Sequence, residues 1–384
     1  MKKLAFVVQR CGKEVNGGSE LHCLQFAQVL AGSYNVEILT TCALDYLSWE
    51  NHYPAGVEKI ADVVVRRFPV DRPRDMEKFS QLSRHVYEHV QSVSRQEQEE
   101  WLDAQGPNSS ELETYIIDNQ QHYDTFIFFT YLYQPYFLLR HVKEKAILVP
   151  TAHDEWPIYM SIWDDFFALP AGFIFNTREE VDFLKKRFPE LSFKGPVIGN
   201  GVERPNSVNP LRFREMFAVD DSFLLYTGRI DESKGCRQLF DYFIELRKTE
   251  YFPRKLILMG KAAMEIPEHP DIISLGFVDE QVKWDGMSAA DWLINPSPHE
   301  SLSIVLLEAW LVGTPTLVTD QCEVLVGQSK RSNGGLWYND LKSFKYVLQN
   351  VDYVKRKTMG NQGKLFVQDN YSWSNILDKL RNVL

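Results

Sequence analysis

Short β-rich apolar runs alternate with longer amphipathic stretches along this chain, and the alternation happens twice. "LAFVV" (4–8), "YNVEILTT" (34–41), "VVVRRFPV" (63–70), "DTFIFF" (124–129), "KAILVP" (145–150) and "AGFIFNT" (171–177) read as strands. Between the first two lies "SELHCLQFAQVLAG" (19–32), a helix with Leu21, Leu24, Phe26, Ala27 and Leu30 on one side. Ser19 is placed to cap it and Gly32 to end it. Strands separated by helices imply parallel βαβ units. The rhythm breaks over 72–122, a charged stretch, helical around 75–105 and interrupted at "QGPNSS" (105–110). That insertion is either a plain helical hairpin or a cover over a functional edge. After "GPVIGNGVERPNSVNP" (195–210), which reads as a linker, the alternation restarts. Its strands are "FLLYTGR" (223–229), "RKLILMG" (254–260), "DIISLGF" (271–277), "DWLINPS" (291–297) and "TPTLVTD" (314–320).

At 384 residues the chain is too long for one ordinary core. The expected fold is α/β: two Rossmann-like domains with parallel sheets facing across a cleft. Residues 1–198 form the first, with the insertion 72–122, and 199–365 the second. Residues 366–384, including the amphipathic "YSWSNILDKLRNVL" (371–384), close back toward the first domain as a helix. Ligands of such sheets gather at the carboxyl ends of the strands.

Composition limits the function classes. Hydrophobic content of 44% with 24% charged residues is that of a soluble globular protein. The net charge of −10 argues against a general nucleic-acid binder. Cys11, Cys23, Cys42, Cys236 and Cys322 are odd in number, and none forms C-x-x-C, so reduced thiols are expected rather than a disulfide framework or zinc site. "MKKLAFVVQRCG" has too short an apolar core for a signal peptide. "TFIFFTYLYQPYFLL" (125–139) is too short and too interrupted to span a bilayer. A cytoplasmic protein is expected. Lys185, Lys186 and Arg187 are either a solvated helix end or a basic patch touching the inner membrane surface.

The candidate chemistry falls at predicted strand ends. "NGGSE" (16–20) opens the first helix, where Gly17 and Gly18 would let a backbone approach an anion. It matches neither G-x-G-x-x-G nor the G-x-x-x-x-G-K-[ST] loop, and a plain turn is the alternative. In "TGRIDESKG" (227–235), Arg229 and Lys234 suit a diphosphate, or Arg229 simply pairs with Asp231 or Glu232. His153 lies just past a strand end in "VPTAHDEWP" (149–157). No metal-ligand cluster surrounds it, and D-x-D is absent from the chain. Glu300 and Glu308 sit eight residues apart in "NPSPHESLSIVLLEAWLVGTP" (295–315). Glu300, before the helix, is a cap or a ligand-binding acid. Glu308 lies inside the apolar run, where a lone acid is costly, so something polar should meet it.

These motifs, in this order and spacing, resemble the retaining GT-B glycosyltransferases of glycosyltransferase family 4, over almost the whole length. The strongest element is E-x(7)-E, Glu300 to Glu308; Gly17–Gly18, His153, "GNGVE", Arg229 and Lys234 support it. The resemblance implies a metal-independent hexosyltransferase with no cofactor, whose substrate is a nucleotide-diphosphate-sugar. The acceptor would be a glycan or lipid-linked saccharide bound by the 1–198 domain, with the nucleotide-sugar held by the 199–365 domain, in bacterial surface-polysaccharide synthesis. It implies that Gly17 and Gly18 approach the donor phosphate and that Arg229 and Lys234 bind the diphosphate. Glu300, with the backbone of Ser301, Leu302 and Ser303, would hold the sugar, Glu308 the ribose, and Phe277 and Val278 would border the base. His153 would lie near the transferred sugar. Two positions depart from the pattern: Ser301-Leu302-Ser303 replaces a usual G-F-G, and Gly199 replaces a proline. A nucleotide-sugar epimerase or hydrolase, or a silent sugar-nucleotide-binding protein, are the alternative readings.

Overall fold

The computed structural model describes residues 1–15, 17–248 and 255–384. Asn16 of the "NGGSE" turn and Arg254 of the strand expected at 254–260 lie outside the described residues. The chain divides into two compact units, Met1–Asn200 with Leu377–Leu384, and Gly201–Ile376.

The first unit runs β1 (Lys3–Val7), α1 (Gly18–Leu30), β2 (Asn35–Thr41), β3 (Gly56–Ile60), β4 (Val63–Phe68), α2 (Met76–Glu88), α3 (Arg95–Gln105) and α4 (Ser110–Asn119). It continues with β5 (Thr125–Phe129), α5 (Pro135–Leu138), β6 (Ala146–Val149), α6 (Ile162–Phe166), β7 (Gly172–Phe173) and α7 (Arg178–Arg187). The sheet order is β3-β4-β2-β1-β5-β6-β7. The expectation of a purely parallel sheet needs one correction: β3 pairs antiparallel with β4, Ile60 opposite Val63. Only Ala61 and Asp62 separate the two strands, and Ala61 takes the left-handed conformation (φ 50°) that a tight turn requires. Strand β3 escapes the hydrophobic pattern because four of its five residues are exposed.

The insertion is built into the core. Val86 of α2, Trp101 and Leu102 of α3, and Leu112 and Ile116 of α4 are buried with Phe126, Phe128 and Leu148. Helix α3 starts with a reciprocal capping box, Ser94 with Glu97, a strong local start signal.

Helix α1 corrects a second expectation. Its buried residues are Glu20, His22, Cys23, Phe26, Ala27 and Leu30, whereas Leu21 is 40% exposed. The apolar side was misplaced because two polar residues are inside. His22 packs edge-on to Phe26 and Phe129, and burial pushes its pKa down to about 3, so it is neutral. Ser19 does not cap the helix; the N-cap is Gly17, with no side-chain cap.

The second unit runs α8 (Pro210–Phe217), β8 (Phe223–Thr227), α9 (Cys236–Arg247), β9 (Lys255–Met259), β10 (Ile272–Ser274), α10 (Glu280–Ala289) and β11 (Trp292–Asn295). Then come α11 (Ile304–Leu311), β12 (Thr316–Thr319), α12 (Glu323–Ser332), β13 (Gly335–Tyr338), α13 (Leu341–Asn350), α14 (Tyr353–Asn370) and α15 (Trp373–Arg381). The order β10-β9-β8-β11-β12-β13 is parallel throughout. Strands β8, β9, β11 and β12 are almost wholly buried, the near-continuous apolar pattern of a sheet covered on both faces. Helix α11 lies behind them, and Trp310 donates its indole N–H to Gly334 O at 2.9 Å.

Candidate active site

The carboxyl ends of β8 and β11 are neighbours, and the loops that leave them meet. Gly235 makes the approach possible: its φ is 73°, and a Cβ there would stand 2.2 Å from Pro296 O. Any other residue would push the two loops apart. The contact brings Lys234 Nζ to 2.9 Å from Glu300 Oε1. Burial alone would lower the Lys234 pKa, but Glu300 outweighs it and holds the ammonium charged. Arg229 pairs with Asp231, as one of its two sequence readings had it. Asp231 also accepts from Ser233 Oγ at 2.7 Å and from the Lys234 N–H at 2.9 Å. Burial works against that carboxylate, yet Ser233 and Arg229 bring its pKa below the usual range.

The loop from β11 to α11 is fixed at both ends. Buried Asn295 donates to Ser303 Oγ at 3.0 Å and accepts from the Ser297 N–H at 2.9 Å. Gln328, on α12, donates to Leu302 O. Ser303 occupies the N-cap of α11 in the left-handed region (φ 60°), and its hydroxyl serves Asn295, so no side chain caps the helix. An uncapped helix start with positive dipole is a ready anion site. Glu300 therefore stands at the mouth of α11 without capping it.

Glu308, two turns in, is 8% exposed. The polar group that meets it is Lys283 of α10, whose Nζ lies 2.8 Å from Glu308 Oε1 and 3.0 Å from Glu280 Oε2. Burial raises the Glu308 pKa, and Lys283 pulls it back only in part. Sequence reasoning required a partner but had no means to choose Lys283, which is 25 residues away on another helix. Asn295 and Gln328 were missed for the same reason: their roles are contacts, not motifs. Phe277 and Val278 lie between β10 and α10, and Phe277 is 69% exposed.

In the first unit, Gly17 and Gly18 open α1 after β1. A Cβ at Gly17 would stand 2.1 Å from Glu20 Oε2, whereas Gly18 has open space around it. The carboxylate beside this turn is therefore the chain's own: Glu20 accepts from Arg10 at 2.6 Å. His153 follows β6, with Nδ1 3.7 Å from Glu155 Oε1. Its loop is tied down by Glu180, the first-turn acid of α7, which accepts from the N–H groups of Ala152 (2.7 Å) and Asn176 (2.6 Å). Those bonds favour the anion, but full burial wins and pushes the Glu180 pKa up to about 8. Arg187 donates to Ile158 O at 3.0 Å and stacks over Phe188, so of the three basic residues there it has a structural role.

All five cysteines are free and buried. Among the described residues, no helix is long and apolar enough to cross a membrane.

Residues 221–357 match the family model described as Glycosyl transferases group 1. An uncharacterized glycosyltransferase of Methanocaldococcus jannaschii is 27% identical over 188 residues, 45% of this chain. That match spans 47% of the curated relative, about half its length. Sucrose-phosphate synthase from Thermosynechococcus elongatus superposes with a TM-score of 0.74 at 15% identity, over 100% of this chain and 98% of that one. Anabaena HepE in complex with UDP-glucose gives 0.69 at 14% identity, over 100% and 99%. The second unit thus carries the group 1 match, and the chain has the GT-B fold of two parallel-sheet units.

Proposed function

We propose that this protein is a retaining glycosyltransferase that moves a sugar from a nucleotide-diphosphate-sugar to a glycan or lipid-linked acceptor, in the service of surface-polysaccharide synthesis. The observation that carries the reading is the Lys234–Glu300 pair, 2.9 Å apart at the uncapped start of α11. A nucleotide-sugar needs a cation for its phosphates next to an acid for its sugar hydroxyls, and this arrangement supplies both. Glu308, paired with Lys283, supplies a second acid for the ribose, and exposed Phe277 an apolar border for the base. HepE was solved with UDP-glucose, which makes a uridine donor the first to try.

In this mechanism the bond from the anomeric carbon to the phosphate oxygen breaks, and its electron pair leaves with the diphosphate. Lys234, Arg229 and the α11 N–H groups stabilise that negative charge, where preorganised donors act most strongly. The acceptor oxygen bonds to the anomeric carbon on the face the phosphate leaves, and its proton passes to the departing phosphate. Configuration is retained without an enzymic nucleophile. A double displacement would instead need two carboxylates about 5 Å apart astride one bond. Glu300 in a loop and Glu308 two turns into a helix do not suit that role. Charge on the diphosphate is met by side chains and backbone, so turnover is expected to persist in EDTA.

The test is incubation with a panel of nucleotide-sugars, with and without lipid-linked saccharides. Acceptor-dependent nucleotide release is the expected result. Release without acceptor would make the protein a hydrolase, epimerised donor an epimerase, and binding without turnover a sugar-nucleotide-binding protein.

A further inference from the structure

The second unit holds a cavity away from its strand ends. The segment that follows Asn200 is pinned to the corner between α14 and α15. A Cβ at Gly201 would stand 2.3 Å from the Trp373 ring, so only glycine lets the chain lie this close. The next residue, Val202, donates its N–H to Tyr371 O at 2.9 Å, where α14 ends. Held there, Val202, Glu203 and Arg204 form one wall of a cavity of about 300 Å³. Leu311 forms the second wall, and Lys364 and Gln368 form the third. These last two are at i and i+4 on α14 and therefore share a face.

The lining divides by chemistry. Val202 and Leu311, 8% and 7% exposed, make an apolar floor. Two cations, Arg204 and Lys364, one acid, Glu203, and one amide, Gln368, stand around it. None of these four side chains has a hydrogen bond or an ion pair among the described residues. In the same unit, Arg229, Lys234 and Lys283 are each paired with an acid. The dipole of α11 accounts for part of the arrangement: the helix ends at Leu311, and its negative end favours cations. It does not account for Glu203, an acid that the same helix end disfavours. An apolar floor with a few unpaired polar groups around it is the make-up of a small-molecule site. This cavity is separate from the strand-end site, because Glu300 precedes α11 and Leu311 ends it, with about 10 Å of helix between them.

We propose that this cavity binds a sugar phosphate, with Lys364 and Arg204 on the phosphate and Glu203 and Gln368 on the sugar hydroxyls. Two cations suit a phosphate dianion. A carboxylate accepts from hydroxyls, and an amide both donates and accepts. A volume at the lower end for ligand pockets suits a monosaccharide phosphate rather than a nucleotide. Since one wall is the segment leaving Asn200, an occupant would tie that segment to α14. The site does not rest on the transferase reading.

The experiment is isothermal titration calorimetry on the full chain with glucose 6-phosphate, fructose 6-phosphate and mannose 6-phosphate, beside glucose and inorganic phosphate. At least one sugar phosphate should bind more tightly than glucose or inorganic phosphate, with an affinity that falls as salt rises. Lys364→Met and Arg204→Met should each weaken that binding about tenfold or more. Both side chains are unpartnered in the folded protein, so both variants should melt at the wild-type temperature. Turnover of nucleotide-sugar, measured without sugar phosphate, should be unchanged in them. Occupancy of the strand-end site is distinguished by Lys234→Met and by saturating uridine diphosphate, both of which should leave sugar-phosphate binding intact. Absence of binding by all three sugar phosphates, equally tight binding of inorganic phosphate, or wild-type affinity in both variants would each overturn the site. Displacement by uridine diphosphate with loss of binding in Lys234→Met would overturn it too, as would a lower melting temperature in both cavity variants, which would make the cations structural.

Discussion

The two sheets share a βαβ plan but end in different electrostatics. At the carboxyl edge of the second unit, cation and acid stand in close pairs that remain partly open: Arg229 with Asp231, and Lys234 with Glu300. Lys283 with Glu308 is a third, more deeply buried pair. At the edge of the first unit Arg10 is buried in a pair with Glu20, and burial neutralises other groups around it. His22 is held neutral by a pKa near 3, Glu180 is raised to about 8, and Gln9 and Gln134 are amides. In the proposed function a charged diphosphate suits the paired cations of the second unit's edge. The lesson is that topology fixes where a ligand can sit, and the charge state of a few loop residues fixes which ligand.

The sharpest way to break the contrast is at Glu300. Glu300→Gln keeps the shape but removes the charge that pairs with Lys234 and that, in the proposed mechanism, holds the sugar ring, where positive charge grows during reaction. An interaction made mainly in the transition state shows in kcat. The expected loss in kcat is on the order of 100-fold, with a smaller change in donor KM. Intact-mass spectrometry should find no glycosyl adduct on either acid. Such an adduct on Glu300 would defeat the front-face mechanism.

Next in size is Glu308, the acid proposed to hold the ribose. Glu308→Gln should raise donor KM roughly tenfold or more, with kcat nearly unchanged, because the ribose is the same in ground and transition states. Lys283→Met tests the pair from the other side. The titratable groups that face Glu308 are Lys283 and Glu280, both on α10; its helix neighbours Leu306, Leu307, Ala309 and Trp310 are apolar. Burial already raises its pKa, and Lys283 is the opposing influence. Without Lys283 the acid takes up a proton at higher pH and loses acceptor capacity. Donor KM in Lys283→Met should therefore fall as pH rises, while the wild type stays flatter, and Lys283→Arg should restore part of the difference. Parallel KM profiles in the two proteins would remove Lys283 from the site.

Much of the fold was legible because parallel strands are apolar throughout and helices separate them. Strand β3 was not, since an exposed edge strand such as "GVEKI" has no buried face to leave a pattern. Strand β13, "GLWY", was missed because it is an edge strand with only three apolar residues, one of which, Trp337, is exposed. The α1 face was misread because a neutral histidine and a paired glutamate are buried there. At the site, Glu300, Glu308, Arg229 and Lys234 stood out as residue types misplaced for their surroundings or set at strand ends. Lys283, Asn295 and Gln328 did not, because their meaning lies in contacts between distant segments.

The smallest expected effect concerns the neutral edge, and it is a slope rather than a loss. Glu180 has a folded pKa of about 8 against an ordinary 4.5, chiefly through burial. Its folded form therefore binds more protons than its unfolded form between those values. The stability it contributes is fully present below pH 4.5 and drains away as pH rises through about 8. The slope is at most about 1.4 kcal/mol per pH unit. Glu180→Gln resembles the protonated acid but does not titrate. Near pH 5 the variant should match the wild type closely in denaturant unfolding. Toward pH 8 the wild-type curve should fall below the variant's, because only the wild type must then place a charge among Ala152, Asn176 and Thr177. If both proteins lose stability in parallel across that window, Glu180 is ionised in the folded state and burial does not neutralise it.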